Sequence, residues 1–224
     1  MSLLLKGVGL LPIAAVSTAV EPIGAPTTNI LGGFSFSQDF AHVHPLADNN
    51  AIFVFIMADN PPVAVFYGGF NLVEIRVEGF GGNGCAIWKG WNDPDVLPTG
   101  SNTVSIQWAG PATKSIAYVQ SYKNVDQSAA YGGNTAGTNG TGTSFSDNVT
   151  IAEGGLAIGC VAVDNEVITN GVAGGQSELL NTNDSTIYGA VSYNTGQNAG
   201  AKAFSASWPS SALYGYCLAE ILKA

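Results

Sequence analysis

Charge is scarce in this chain, and basic charge is the scarcest. Among 224 residues there are seven Lys or Arg and sixteen Asp or Glu, for a net charge of −9 at pH 7. No basic residue lies between Lys123 and Lys202, where seven carboxylates do. Nucleic-acid binding needs Lys and Arg to neutralise phosphates, and anionic lipid needs a basic surface, so neither is an expected partner. Histidine occurs only at His42 and His44. A Ser-His-Asp site has little to draw on, and no Gly-x-Ser-x-Gly elbow or phosphate-cradling Gly-x-x-x-x-Gly-Lys motif occurs. The three cysteines, Cys85, Cys160 and Cys217, are an odd number without metal or redox spacing. They read as small buried hydrophobes. Sustained helical periodicity is also missing; only the last segment, Leu213–Leu222, is ambiguous.

Apolar content and glycine are what the chain has. Hydrophobic residues make up 46% and glycines number 29, so disorder is excluded and turns must be frequent. Apolar runs of strand length recur between turn signals: Ala51–Met57, Val63–Tyr67, Leu72–Val77, Cys85–Lys89, Thr103–Trp108 and Ser115–Tyr122. After these come Val149–Ile151, Leu156–Val163, Ile187–Tyr193, Ala201–Trp208 and the last segment. Ala51–Met57 is continuously apolar and suits a strand buried on both faces. Residues 126–147, rich in Gly, Thr, Asn and Ser, read as a long surface loop or linker. The expected fold is all-β: a two-sheet antiparallel β-sandwich, jelly-roll-like, with a single domain over residues 34–224.

Residues 1–33 precede it as an extended apolar arm, broken by Pro12, Pro22 and Pro26. The start has some features of a secretory signal, but its charge is weak and Pro12 interrupts it. The uncharged run Gly7–Val20 is 14 residues, too short to span a bilayer, so a retained arm is expected. Leu3, Leu4, Leu5, Leu10, Leu11 and Ile13 should bury themselves, either on a neighbouring subunit or along their own sheet.

The order of short motifs resembles a β-sandwich module of phage virion structural proteins and of bacterial surface and secreted proteins. After the apolar run Ala51–Met57 come Tyr67-Gly68-Gly69 with Leu72, then Trp88, Asn92-Asp93-Pro94 and Gly100. Val104, Ile106 and Trp108 follow, then Tyr122 with Asn124-Val125-Asp126-Gln127. The second half carries Val149-Thr150-Ile151, Gly154-Gly155-Leu156, Ser207-Trp208 and Ala219–Ala224. The similarity spans residues 48–224; Asn124 and Gly155 depart from the usual Gly and Asp. It implies a sandwich without catalytic residues or cofactors, in an extracellular or virion role. The leading expectation is a non-enzymatic head decoration or cement protein on the outer surface of a virion. Its partners would be the major capsid protein or other virion proteins and further copies of itself, with a trimer favoured by analogy. The alternative is a carbohydrate- or receptor-binding module of a tail fibre or bacterial surface, with Trp91, Asp93 and Asp95 as a ligand loop.

Other candidates weigh less. His42 and His44, two apart on a strand, could begin a metal site with Asp39 or Asp48, but two ligands are too few and a solvated pair is expected. Asp93, Asp95 or Asp126 could hold calcium with loop carbonyls. Asp93 with Asp95, and Asp164 with Glu166, are the carboxylate pairs a glycosidase would need, in ordinary turn sequences. Trp88, Trp108 and Trp208 lie within strand patterns and are expected in the core.

Overall fold

The structure is a computed structural model that describes residues 19–79, 82–91, 97–128, 133–170, 175–184 and 186–224. Its strands are β1 (Glu21–His44), β2 (Ala51–Ala58), β3 (Pro62–Tyr67), β4 (Phe70–Asn71), β5 (Val73–Glu78), β6 (Gly84–Trp91) and β7 (Gly100–Lys123), then β8 (Thr135–Ile151), β9 (Leu156–Asp164), β10 (Thr169–Asn170), β11 (Gln176–Asp184), β12 (Ile187–Asn194) and β13 (Gly200–Ile221). All pairings between them are antiparallel. One sheet runs β4-β3-β7-β2-β6-β5 with β1 on β7; the other runs β10-β13-β9-β12-β11 with β8 on β13. The fold is an all-β, two-sheet sandwich. Each sheet is built from its own half of the chain, so the strands do not alternate between sheets as they would in a jelly roll.

Three apolar cores account for this layering. Residues 51, 53, 55 and 57 of β2 enter a central core shared with β9, β12 and β13 of the other sheet. Residues 52, 54, 56 and 58 point the other way, into a second core made by the first sheet alone. A third core belongs to the second sheet alone and takes Ala157, Val161 and Val163 of β9. β2 is buried on both faces, as its unbroken apolar run requires. What covers its outer face is the sheet itself. The first half of β7, with β3 and the second half of β1, bends over β2 and β6, so Val104, Ile106 and Trp108 close that core.

The bend is written in register. Ser35 pairs with Ala112 and Ser37 with Gln107, so β7 has four residues, Trp108–Pro111, opposite the single Phe36. β13 repeats the device: Gly142 pairs with Ala212 and Ser144 with Ser207, leaving Trp208–Ser211 opposite Thr143. Bulges of this kind bend a strand and increase its twist. The two halves match position by position. Gly100 and Gly200 open the strands in positive φ, residues 104, 106, 108 and 112 are buried, and so are 204, 206, 208 and 212. The molecule is a structural duplication, with one lobe per half.

Four readings of the sequence are corrected here. Thr103–Trp108 and Ser115–Tyr122 are one bulged strand, as are Ala201–Trp208 and Leu213–Leu222 up to Ile221. Residues 135–147, expected as loop, belong to β8; it is an edge strand whose side chains mostly face solvent, so it needs backbone pairing and few apolar residues. The boundary expected at Phe34 falls inside β1, because residues 21–32 pair with β7. Gly24 and Pro26 fall at a register shift between Ile23 and Thr27, and Pro22 pairs with Tyr122 just before it. The predicted core tryptophans, Trp88, Trp108 and Trp208, are buried.

Phe55, in the central core, should be among the costliest side chains to truncate. Phe55→Ala is expected to lower stability by about 3–5 kcal/mol, whereas Phe36→Ala, at an exposed site, should change it by less than about 0.5 kcal/mol; urea unfolding of both variants checks this.

Candidate functional site

β1 has two unlike faces, and the duplication shows which residues are special. Its register on β7 makes Gln38, His42 and His44 the counterparts of Phe145, Val149 and Ile151 on β8. All six are buried. One lobe therefore keeps three polar side chains where the other packs apolar ones. The expectation of a solvated histidine pair is overturned, because the folded-over layer covers it.

The buried groups bond one another, except that His44 Nε2 and Gln38 Oε1 have no hydrogen-bond partner among the described residues. His42 Nδ1 lies 2.9 Å from Thr27 Oγ1 and its Nε2 3.1 Å from Ser121 Oγ. His44 Nδ1 lies 2.7 Å from the same Ser121 Oγ. A serine hydroxyl has one proton, so between two imidazoles it donates to one and accepts from the other. The ring that accepts the Ser121 proton must then be neutral, and the other donates to Ser121. Tyr67 locks the pair from β3: its hydroxyl accepts the His44 N–H at 3.2 Å and donates to the Gly100 carbonyl at 2.8 Å. Both imidazoles pack edge-on against its ring, with centroids 6.2 and 5.9 Å away. Gln38 Nε2 donates to Asn29 Oδ1 at 2.8 Å, tying together the two halves of β1. Ser121 and both histidines are sealed from solvent, and their bonds pin β1 to β7 and β3.

The solvent side of the same layer carries large apolar side chains among exposed polar ones such as Ser37, Asp39, Ser101, Thr103 and Gln107. Phe34 and Phe36 are 70% and 65% exposed and pack edge-to-face on each other, with centroids 6.0 Å apart. Val43 and Leu46 are also exposed, as are Val63 on β3 and Phe70 on β4. Among the described residues β1 pairs with β7 alone, which leaves its other edge open. Exposed large apolar side chains beside an open strand edge offer a template for another chain. On the corresponding β8 edge, Thr143 stands for Phe36 and Thr150 for Val43.

The other anticipated residues fare differently. Leu3, Leu4, Leu5, Leu10, Leu11 and Ile13 lie outside the described residues, as do Asp93 and Asp95. Trp91 ends β6 and, rather than projecting as a loop residue, is half-buried against the central core. The Lys89 ammonium sits 5.9 Å from its ring centre and donates to the Asp126 carbonyl at 2.8 Å. Burial lowers the Lys89 pKa, with Asp126 opposing. The Asp126 carboxylate accepts the Ser128 hydroxyl at 2.6 Å and the Ser128 N–H at 3.2 Å, which holds its pKa down. Among the described residues no three His, Cys, Asp or Glu side chains are placed to hold a metal ion. The three thiols, distant in sequence, converge in the central core. Cys160 faces Cys217 across the β9–β13 pair, and Cys217 Sγ donates to the Cys85 carbonyl at 3.2 Å. All are free and buried, and burial raises their pKa values.

Comparisons with known protein families, with curated proteins and with solved structures find no match.

Two predictions follow from the buried groups. Burial first, then the His44 charge, lowers the His42 pKa from 6.5 to about 4, and burial lowers that of His44 with Asn50 opposing. The unfolded chain therefore takes up protons first: stability is full above pH 6.5 and is lost as pH falls toward about 4. His42 alone is expected to account for about 3 kcal/mol of that loss. His42→Val, which copies the other lobe, should flatten the profile in pH-dependent thermal denaturation. A thiol reagent at pH 8 should label none of the cysteines in the native protein and all three on unfolding, as mass spectrometry would show.

Proposed function

We propose that the chain is a non-enzymatic virion structural protein, a phage head decoration or cement protein that binds the capsid surface through subunit contacts. The observation that supports this most is the set of exposed apolar side chains on β1 and its neighbours, Phe34, Phe36, Val43, Leu46 and Val63, beside an open strand edge. Phe34, Phe36, Val43 and Leu46 would each contribute about 1.5–3 kcal/mol if fully covered. Backbone pairing along β1 would then fix the register of the contact. The polar cluster behind it supports the same reading, because a strand offered to a partner must not peel from its own sheet. The virion setting itself rests on the resemblance in motif order. On this reading the partners are the major capsid protein and further copies of the chain, with a trimer favoured, and the protein sits on the outer surface of the particle. The acidic, charge-poor surface suits contact with protein more than with nucleic acid or membrane.

Quantitative mass spectrometry of particles from the source of this chain tests the setting. Copy numbers near that of the major capsid protein are expected; absence from particles would refute it. The double variant Phe34→Ser, Phe36→Ser tests the mode. It should keep its thermal midpoint and lose at least about tenfold in particle occupancy, and full occupancy would contradict the role of β1. Deleting residues 2–13 separates the arm's contribution from that of β1.

A further inference from the structure

The three thiols share no spacing in the sequence, yet the fold gathers them in the shared core, and two of them face each other. We propose that Cys160 and Cys217 are the site of a cross-strand disulfide that forms when the chain folds in oxidising surroundings, with Cys85 left as a free thiol. The inference makes no use of the virion setting or of attachment through β1.

Register places the pair. β9 and β13 run antiparallel without a bulge from Leu156 opposite Ile221 to Val163 opposite Tyr214, and Cys160 stands directly opposite Cys217 within that stretch. Residues opposite one another in such a pair have Cα atoms about 4.5–5.5 Å apart, within the roughly 4.4–6.8 Å that a disulfide spans. Both side chains enter the central core, so they share one face of the sheet. The Cys160 thiol is in hydrogen-bond reach of the Cys217 thiol. Val191 of β12 pairs with Cys160 on one side and Gly137 of β8 with Cys217 on the other, which holds both backbones in place. Cys85 also reaches Cys160, but from β6 of the facing sheet, and its Sγ donates to the Gly215 carbonyl at 3.1 Å. A bond from there would join two sheets that pack about 10 Å apart, whereas Cys217 is on the adjacent strand.

Packing does not demand thiols here. In the first lobe β2 and β7 set Phe55 opposite Tyr118 and Met57 opposite Ile116 on the same core. The second lobe instead has two small side chains that can be joined. The chemistry balances with a small disulfide, oxidised glutathione, as the oxidant. One cysteine thiolate attacks a glutathione sulfur and expels the first glutathione thiolate. The other cysteine then attacks the mixed disulfide, the Cys160–Cys217 bond forms and the second glutathione leaves. The two cysteines give up two protons, and two electrons pass to the oxidant. In the native protein the thiols are buried and burial raises their pKa values, so neither oxidant nor thiolate is at hand. The exchange therefore runs while β13 is open, and the native register selects the pair.

The test is to refold the full, reduced chain from urea with and without a mixture of reduced and oxidised glutathione, then alkylate, digest and map by mass spectrometry. With glutathione, the peptide holding Cys160 should be linked to that holding Cys217 with the loss of two hydrogens, and Cys85 should be alkylated. Cys85→Ala should form the same link in the same yield. The linked protein should have a higher urea midpoint than the reduced one, and dithiothreitol should open its bond only once urea is added. Native protein brought to its urea midpoint in the same mixture gives the same reading if refolding is incomplete. A link to Cys85, a lasting glutathione adduct, or folded protein with all three thiols alkylated would overturn the proposal. So would a Cys160–Cys217 link that lowers the midpoint, because the register would then not fit the bond.

Discussion

Strands β2 and β9 carry apolar side chains on both faces, and a strand of that kind must be covered twice. A sandwich of two flat sheets covers each inner face once and leaves the outer faces wet. This chain meets the constraint by making one strand of each sheet, β7 or β13, more than twenty residues long and bending it at a four-residue bulge. Half of each long strand pair then completes the flat sheet, and the other half folds over it. Three cores stack in series, and the middle one is shared.

Once the lobes are seen as copies, their differences carry the functional argument. The scaffold repeats down to the burial pattern of β1 and β8, so departures between matched positions are not demanded by the fold. They fall in two places: polar Gln38, His42 and His44 against Phe145, Val149 and Ile151, and apolar Phe36 and Val43 against threonines. Val43 lies on the opposite face of β1 from the three polar residues, and Phe36 sits at the bend opposite the bulge. An apolar surface offered to a partner and a polar network that resists peeling are complementary properties. Well-ordered hydrogen bonds specify geometry where an apolar contact tolerates slippage.

Much of the first lobe was legible in the sequence. The unbroken run Ala51–Met57 announced a strand covered on both sides, and three of the four tryptophans read correctly as core. What was not legible follows from how the cues arise. Ala109-Gly110-Pro111 looks like a turn between two strands, because a bulge uses turn residues without ending the ladder. β8 looks like a loop, since an edge strand with a wet outer face can be built from Gly, Thr, Asn and Ser. His42 and His44 looked solvated because nothing local records a layer folded over them. The cysteine cluster joins residues from three distant strands, which no linear spacing reveals.

The central claim is that one shared core makes the two lobes a single cooperative unit. Native-state hydrogen exchange across a urea series tests it most directly. The account predicts that amides of β2 and β9 exchange only through global unfolding, with free energies equal within about 1 kcal/mol, while amides near the open edges of β1 and β8 exchange by smaller openings. Exchange of β9 through an opening that leaves β2 protected, or the reverse, would contradict it, because each lobe would then be standing without the core they share.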